Sequence, residues 1–196
     1  MSLPGMAPAA PGALDLLDRA VGYTRGCLAK VTPEVLDRPT PCAGWSLLDL
    51  LVHMDDSLAA LGQAAESSTL TPAPEPEPAD AGALLVSIRQ RACTLVGQWM
   101  PPGEPMVRLG RFDLARETLG GVGALEITLH GWDVATTLGL DRPIPPALAM
   151  DLWPLARDHI TDADRPGRFA LPPGVPPWAS PATLLLAHAG RRGGAA

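Results

Sequence analysis

The sequence predicts an all-α protein: an up-and-down four-helix bundle with an additional C-terminal helix or segment. Three observations carry that reading. Four long stretches place apolar residues three and four apart, the spacing that gathers them on one helix face. Proline or glycine punctuates the chain between them, and helix interiors disfavour both. No stretch alternates apolar and polar residues convincingly, as a half-buried strand would. The 196 residues suffice for one domain with a real core. The expected division is a flexible N-terminus over 1–12, a single bundle domain over 13–191 and a tail over 192–196.

The first helix is read over 13–30, between Pro11-Gly12 and Thr32-Pro33, with Leu14, Leu17, Val21, Tyr23 and Leu28 at helical spacing. Thr32-Pro33-Glu34 reads as a single capped turn. Asp37-Arg38-Pro39-Thr40-Pro41 cannot be helix interior. Ser46 is an N-cap candidate, with Asp49 as its acidic first-turn partner. The second helix then runs to about Ala65 on Leu47, Leu50, Leu51, Met54, Leu58 and Leu61, with His53 at the edge of its buried face. Residues 66–80, which contain Ser67-Ser68 and alternate proline with glutamate from Pro72 to Pro78, read as a surface linker.

The third helix covers 81–100, from Leu84 to Trp99, and stops at Pro101-Pro102-Gly103. A short extended loop follows over 104–113, and the fourth helix over about 115–138, ended by Gly139. Gly120, Gly121 and Gly123 are costly there, so their expected use is to let a helix or a ligand approach. Pro145-Pro146 opens a fifth helix to about 162, kinked at Pro154. A last short helix is read over 182–189.

Composition removes several function classes. Fifteen basic residues stand against 21 acidic ones, a net charge of −6, and Lys30 is the only lysine. Without a basic patch, nucleic-acid binding is not expected. No apolar run reaches the roughly 18–20 residues of a membrane span. The N-terminus lacks the basic start and apolar core of a signal peptide. Cys27, Cys42 and Cys93 are far apart and odd in number, which points to reduced thiols in a cytoplasmic protein.

The chemistry concentrates in 124–135. Glu126 and His130 are four apart and share one helix face, with Asp133 one step further along. The surrounding positions, Leu125, Ile127, Leu129, Trp132 and Val134, are apolar on most sides, so the helix is expected to be buried. A carboxylate and an imidazole side by side there either hydrogen-bond to each other or share a divalent cation.

Two segments together carry a resemblance: Thr40-Pro41-Cys42-Ala43-Gly44-Trp45-Ser46 leading to Asp49-Leu50-Leu51-Val52-His53, and His130-Gly131-Trp132-Asp133-Val134-Ala135. They resemble the DinB-like superfamily, specifically the actinobacterial group related to mycothiol-dependent maleylpyruvate isomerases. The closing Leu184-Leu185-Leu186-Ala187-His188-Ala189-Gly190-Arg191 is similar to that group's last segment. The Ala-, Gly-, Pro- and Arg-rich composition suits a GC-rich actinobacterial genome. The resemblance implies His53, Glu126 and His130 as ligands of a divalent metal, zinc first, with nickel or iron as alternatives. Two nitrogens and one carboxylate leave a coordination position open. The implied activity is that of a mycothiol-type S-transferase or isomerase, with mycothiol as cosubstrate. A non-catalytic metal-binding protein and a metal-assisted hydrolase are the alternatives. The full isomerases carry an additional C-terminal domain, for which this chain leaves no room. Expected partners are a small-molecule thiol and an electrophilic substrate, with a homodimer as the candidate assembly.

The remaining polar residues divide by role. Asp49 and Asp133 are candidates to support the ligands from behind, or, for Asp133, to pair with an arginine. Cys42 precedes a helix N-terminus, where a thiolate is favoured, but its simpler reading is a small packed turn residue. Trp45 is expected to anchor that loop. Arg108, Arg111 and Arg116 are candidates to receive anionic substrate groups, in a pocket opening from the metal toward residues 101–115. Arg89 and Arg91 read as a solvated face, His159 as exposed, and His188 as packed on the bundle.

Overall fold

A computed structural model describes residues 11–70 and 81–192. The readings made for 1–10, for 71–80 of the linker and for 193–196 lie outside those residues. The chain order is α1 (Ala13–Leu28), α2 (Leu47–Ser67), β1 (Thr69–Leu70), α3 (Ala81–Trp99), β2 (Met106–Leu109), β3 (Phe112–Ala115), α4 (Arg116–Thr137), α5 (Pro146–His159) and α6 (Pro181–His188).

Four helices enclose the core, but not in alternating directions. Ala13 meets Gly120 and Thr24 meets Gly131, so α1 and α4 run parallel. Ser87 donates to Asp55 and Gln98 to Glu66, so α2 and α3 are parallel as well. Leu61 lies against Gly123 while His53 reaches Glu126, which makes α2 antiparallel to α4. The bundle is therefore up-down-down-up rather than up-and-down. A parallel neighbour requires a return along the helix, about 30 Å for 21 residues.

The second correction is a three-stranded sheet where helices and loops alone were expected. β1 pairs parallel with β2, and β2 pairs antiparallel with β3. Leu109 faces Phe112 across the turn at Gly110-Arg111, with Gly110 at φ 58°. Val107 is the inward anchor, fully buried between exposed neighbours. With strands this short, one buried residue leaves too little alternation to read.

Local signals place the rest. Ser46 caps α2 as expected: its Oγ accepts from Asp49 N at 3.2 Å, and Asp49 Oδ2 accepts from Ser46 N at 2.9 Å. Helix α4 is buried along nearly all of its second half. Its glycines admit neighbouring side chains, not a ligand. A Cβ on Gly120 would stand 2.7 Å from that of Ala13 and 2.8 Å from the Trp99 ring. Leu155 covers Gly121 and Leu61 covers Gly123 in the same way. Outside the four helices, α5 packs on α4 and α1, and α6 on α5. Pro154 lies inside α5.

Candidate metal centre

The site stands at the end of the bundle opposite the sheet, where α2 begins. His53 comes from the second turn of α2, Glu126 and His130 from one face of α4. Glu126 Oε1 accepts from His53 Nε2 at 2.6 Å and lies 3.1 Å from His130 Nε2. The three donor atoms lie within 4.8 Å of one another. The two imidazoles meet nearly edge to face, with centroids 5.0 Å apart. His53 keeps 38% of its side-chain surface open and Glu126 30%, while His130 keeps 8%. The group is thus rooted in the core and reachable from outside. Burial alone would raise the Glu126 pKa, but both histidines hold its carboxyl far below the usual carboxylate range.

The other nitrogen of His130 belongs to a second cluster. Its Nδ1 lies 2.9 Å from Asp133 Oδ2, which accepts the ring proton. Cys42 Sγ donates to the same oxygen at 3.3 Å and lies 4.0 Å from Nδ1. Arg191 closes the group: its Nε donates to Asp133 Oδ1 at 3.2 Å and its Nη2 to Oδ2 at 2.7 Å. Asp133 is fully buried and Arg191 nearly so. Burial works against the Asp133 charge, and Arg191 outweighs it, leaving the carboxyl below its ordinary range. Burial also works against a protonated His130, but Asp133, Cys42 and Glu126 around the ring raise its pKa well above that of an ordinary histidine.

Both clusters have metal-ligand composition, sharing His130. Charge separates them. Arg191 already neutralises Asp133 and stands 3.8 Å from Cys42 Sγ. A divalent ion placed there would face that guanidinium at short range, where repulsion is strong. Among the described residues no arginine or lysine hydrogen-bonds or ion-pairs with Glu126, whose direct partners are the two imidazoles; Arg191 acts on it only at longer range. The His53–Glu126–His130 donors therefore fit a divalent ion, and the Cys42–His130–Asp133 donors do not.

Loop geometry delivers Cys42 and Trp45 to the site. Thr40 N donates to Trp45 O at 3.0 Å, Trp45 N to Cys42 O at 3.0 Å, and Gly44 takes the left-handed φ of 81° between them. Trp45 does not pack away into the bundle. It stays 37% exposed, with its ring 5.1 Å from His53 and 6.5 Å from His130. Glu126 and His130 also border a small cavity of about 10 Å³, lined otherwise mainly by apolar side chains such as Val21, Met54 and Leu58, at the lower limit for one water.

The remaining candidates lie elsewhere. Asp49 is exposed and its carboxylate is engaged in the α2 cap. Arg116 starts α4, about 15 Å along the axis from Glu126 by helical rise, and stacks 4.5 Å over the Trp99 ring. Arg108 is exposed and pairs with Asp113, and Arg111 lies over Phe112. The structure does not bring these three arginines to the donors: their contacts are with Asp113, Phe112 and Trp99. A hollow of about 610 Å³ lies between α2 and α3 near Gln63, Ser87 and Gln98. Arg89 donates to Leu28 O and Val31 O, tying α3 to α1. His159 is exposed, and His188 packs against Trp153. The three cysteines are free. Among the described residues, no helix is long and apolar enough to cross a membrane.

Sequence reasoning missed Arg191. Its signal was the closing Gly190-Arg191. A glycine after a helix suggests a left-handed cap that turns the next residue back onto the bundle.

Two comparisons with known proteins bear on the site. The family described as "Mycothiol maleylpyruvate isomerase N-terminal domain" matches residues 17–135, which include His53, Glu126, His130 and Asp133. Two Mycobacterium tuberculosis proteins, "Uncharacterized protein Rv0738" and "Uncharacterized protein MT0763", are each 28% identical to this chain over 178 residues. Each match covers 88% of this chain and 94% of the relative.

Proposed function

The chain belongs to the mycothiol maleylpyruvate isomerase N-terminal domain family, and from that membership we propose a divalent-metal-dependent enzyme that uses a low-molecular-weight thiol. The observation that carries this reading is the convergence of His53, Glu126 and His130 with no fixed cation among them. Two imidazoles and one carboxylate suit zinc best, with iron or nickel also accommodated. Held by His53, Glu126 and His130, such an ion would supply Lewis acidity that lowers the pKa of a thiol.

The chain's own residues define the rest. Glu126 contributes the negative charge that attracts the cation. Asp133 accepts from Nδ1 of His130 and so presents Nε2 to the ion. Trp45 sets an aromatic ring beside both histidines. The exposure of His53 and Glu126 favours an enzyme over a structural ion, which would be enclosed. Mycothiol is the proposed thiol because the family's description names it. The proposed products are a thiol adduct or an isomerised electrophile, and free cysteines suit a cytoplasmic setting for such chemistry.

The test combines Zn²⁺, Ni²⁺ or Fe²⁺ with a panel of thiols, mycothiol first, and with activated electrophiles including maleylpyruvate. Thiol consumption should require metal and vanish in His130→Ala. If no thiol binds the metal-loaded protein at millimolar concentration, or activity survives His130→Ala, the reading falls.

A further inference from the structure

We propose that Arg191 is a positioning residue for the metal centre: by clamping Asp133 it fixes the His130 imidazole, so the C-terminal segment completes a site whose ligands all lie elsewhere. The proposal rests on the metal reading above.

The local chain explains why an arginine so late in sequence reaches the centre. Helix α6 ends at His188, and Gly190 takes φ 75°. Gly190 N donates to Ala187 O at 2.9 Å and Arg191 N to Leu186 O at 2.8 Å, closing a left-handed cap. A Cβ on Gly190 would stand 2.5 Å from Ala170 O, so glycine is needed for space as well as for φ. The turn sends Arg191 inward past the Phe169 ring. Its Nη1 donates to Ala189 O at 3.0 Å, leaving Nε and Nη2 to grip both oxygens of Asp133.

That grip acts on His130. Asp133 follows it by three residues on α4, and its Oδ2 accepts both from Arg191 Nη2 and from the His130 ring. With both oxygens held, the carboxylate cannot rotate away, and Nδ1 remains the donor nitrogen. Nε2 then faces Glu126 and His53, as ligation requires. Lysine could supply the charge at this position but not the two-point grip.

The experiment measures Zn²⁺ affinity by competition with a chromophoric chelator and the visible absorption of Co²⁺-loaded protein, with circular dichroism to verify the fold. The proteins are the full chain, Arg191→Met, Arg191→Lys, Asp133→Asn and the double variant Asp133→Asn/Arg191→Met. Arg191→Met should bind Zn²⁺ about 10–100-fold more weakly, the range for lost support of a metal-bound histidine, with altered Co²⁺ bands. Arg191→Lys should recover only part of this. The double variant should be no weaker than Asp133→Asn alone, because Arg191 acts through Asp133. It also removes both buried charges, so it remains informative if Arg191→Met does not fold. Wild-type affinity in folded Arg191→Met, or fully additive losses in the double variant, would overturn the proposal. If the unaltered protein binds no Zn²⁺, the metal reading itself fails and this one falls with it. Binding that is intact in the parent and unchanged in the variants would sink this proposal alone.

Discussion

The two faces of the His130 ring carry similar residues and opposite electrostatics. On the Nε2 face, Glu126 meets a second imidazole and the group stays open to solvent. On the Nδ1 face, Asp133 meets Arg191 and a thiol, and the group is sealed. Ligand identity alone does not choose between them, since both triads qualify by type and distance. What separates them is whether a permanent positive charge is already built in. One face holds a cation that the chain supplies, and the proposed function puts an external one on the other.

The strongest way to break this comparison is to remove the shared ring. His130→Ala should abolish measurable Zn²⁺ binding in equilibrium dialysis while leaving the Asp133–Arg191 pair in place, so the protein should still fold by circular dichroism. On the sealed face, Asp133→Ala strands a buried guanidinium. The expected loss is about 3–5 kcal/mol in denaturant unfolding, the usual scale for breaking a buried pair. Glu126→Gln, on the open face, should weaken Zn²⁺ binding while affecting stability far less.

Acidity sharpens the contrast further. The His130 pKa is raised in the metal-free protein. Protonation of that ring therefore contributes stability that is fully present below about pH 6.5, the ordinary histidine value. The contribution is lost as pH rises through the raised value. Metal binding must displace that proton, so Zn²⁺ affinity should move the other way and fall as the pH is lowered. Melting curves of metal-free and Zn²⁺-loaded protein across pH 6–9 should therefore diverge as pH rises. Parallel curves would contradict this account of His130.

A smaller effect separates scaffold from chemistry. Ser46→Ala removes the α2 cap and should cost about 1 kcal/mol. Because His53 lies in the second turn, Zn²⁺ affinity should fall only slightly, which parallel titrations would reveal.

The legibility of these features follows from their range. Glu126 and His130 could be paired from sequence because helical spacing is local, as could the Ser46–Asp49 cap. The family resemblance added His53, which no local spacing links to α4. Gly190 signals a turn that sends Arg191 onto the bundle, but the pairing itself was not legible, because Asp133 lies 58 residues earlier. Helix directions were hidden similarly: apolar spacing locates a helix without saying which way its neighbour runs. The glycines of α4 announce room for a helix or a ligand, but whether a missing Cβ admits solvent, ligand or Leu61 is a tertiary fact.

The central claim is that the external cation belongs to the Nε2 face. Equilibrium dialysis against Zn²⁺, comparing His53→Ala with Cys42→Ser, tests it directly. The account predicts one ion per chain in the parent protein, the ion lost or greatly weakened in His53→Ala, and retained in Cys42→Ser. Loss of the ion in Cys42→Ser with retention in His53→Ala would place it on the other face and contradict the account.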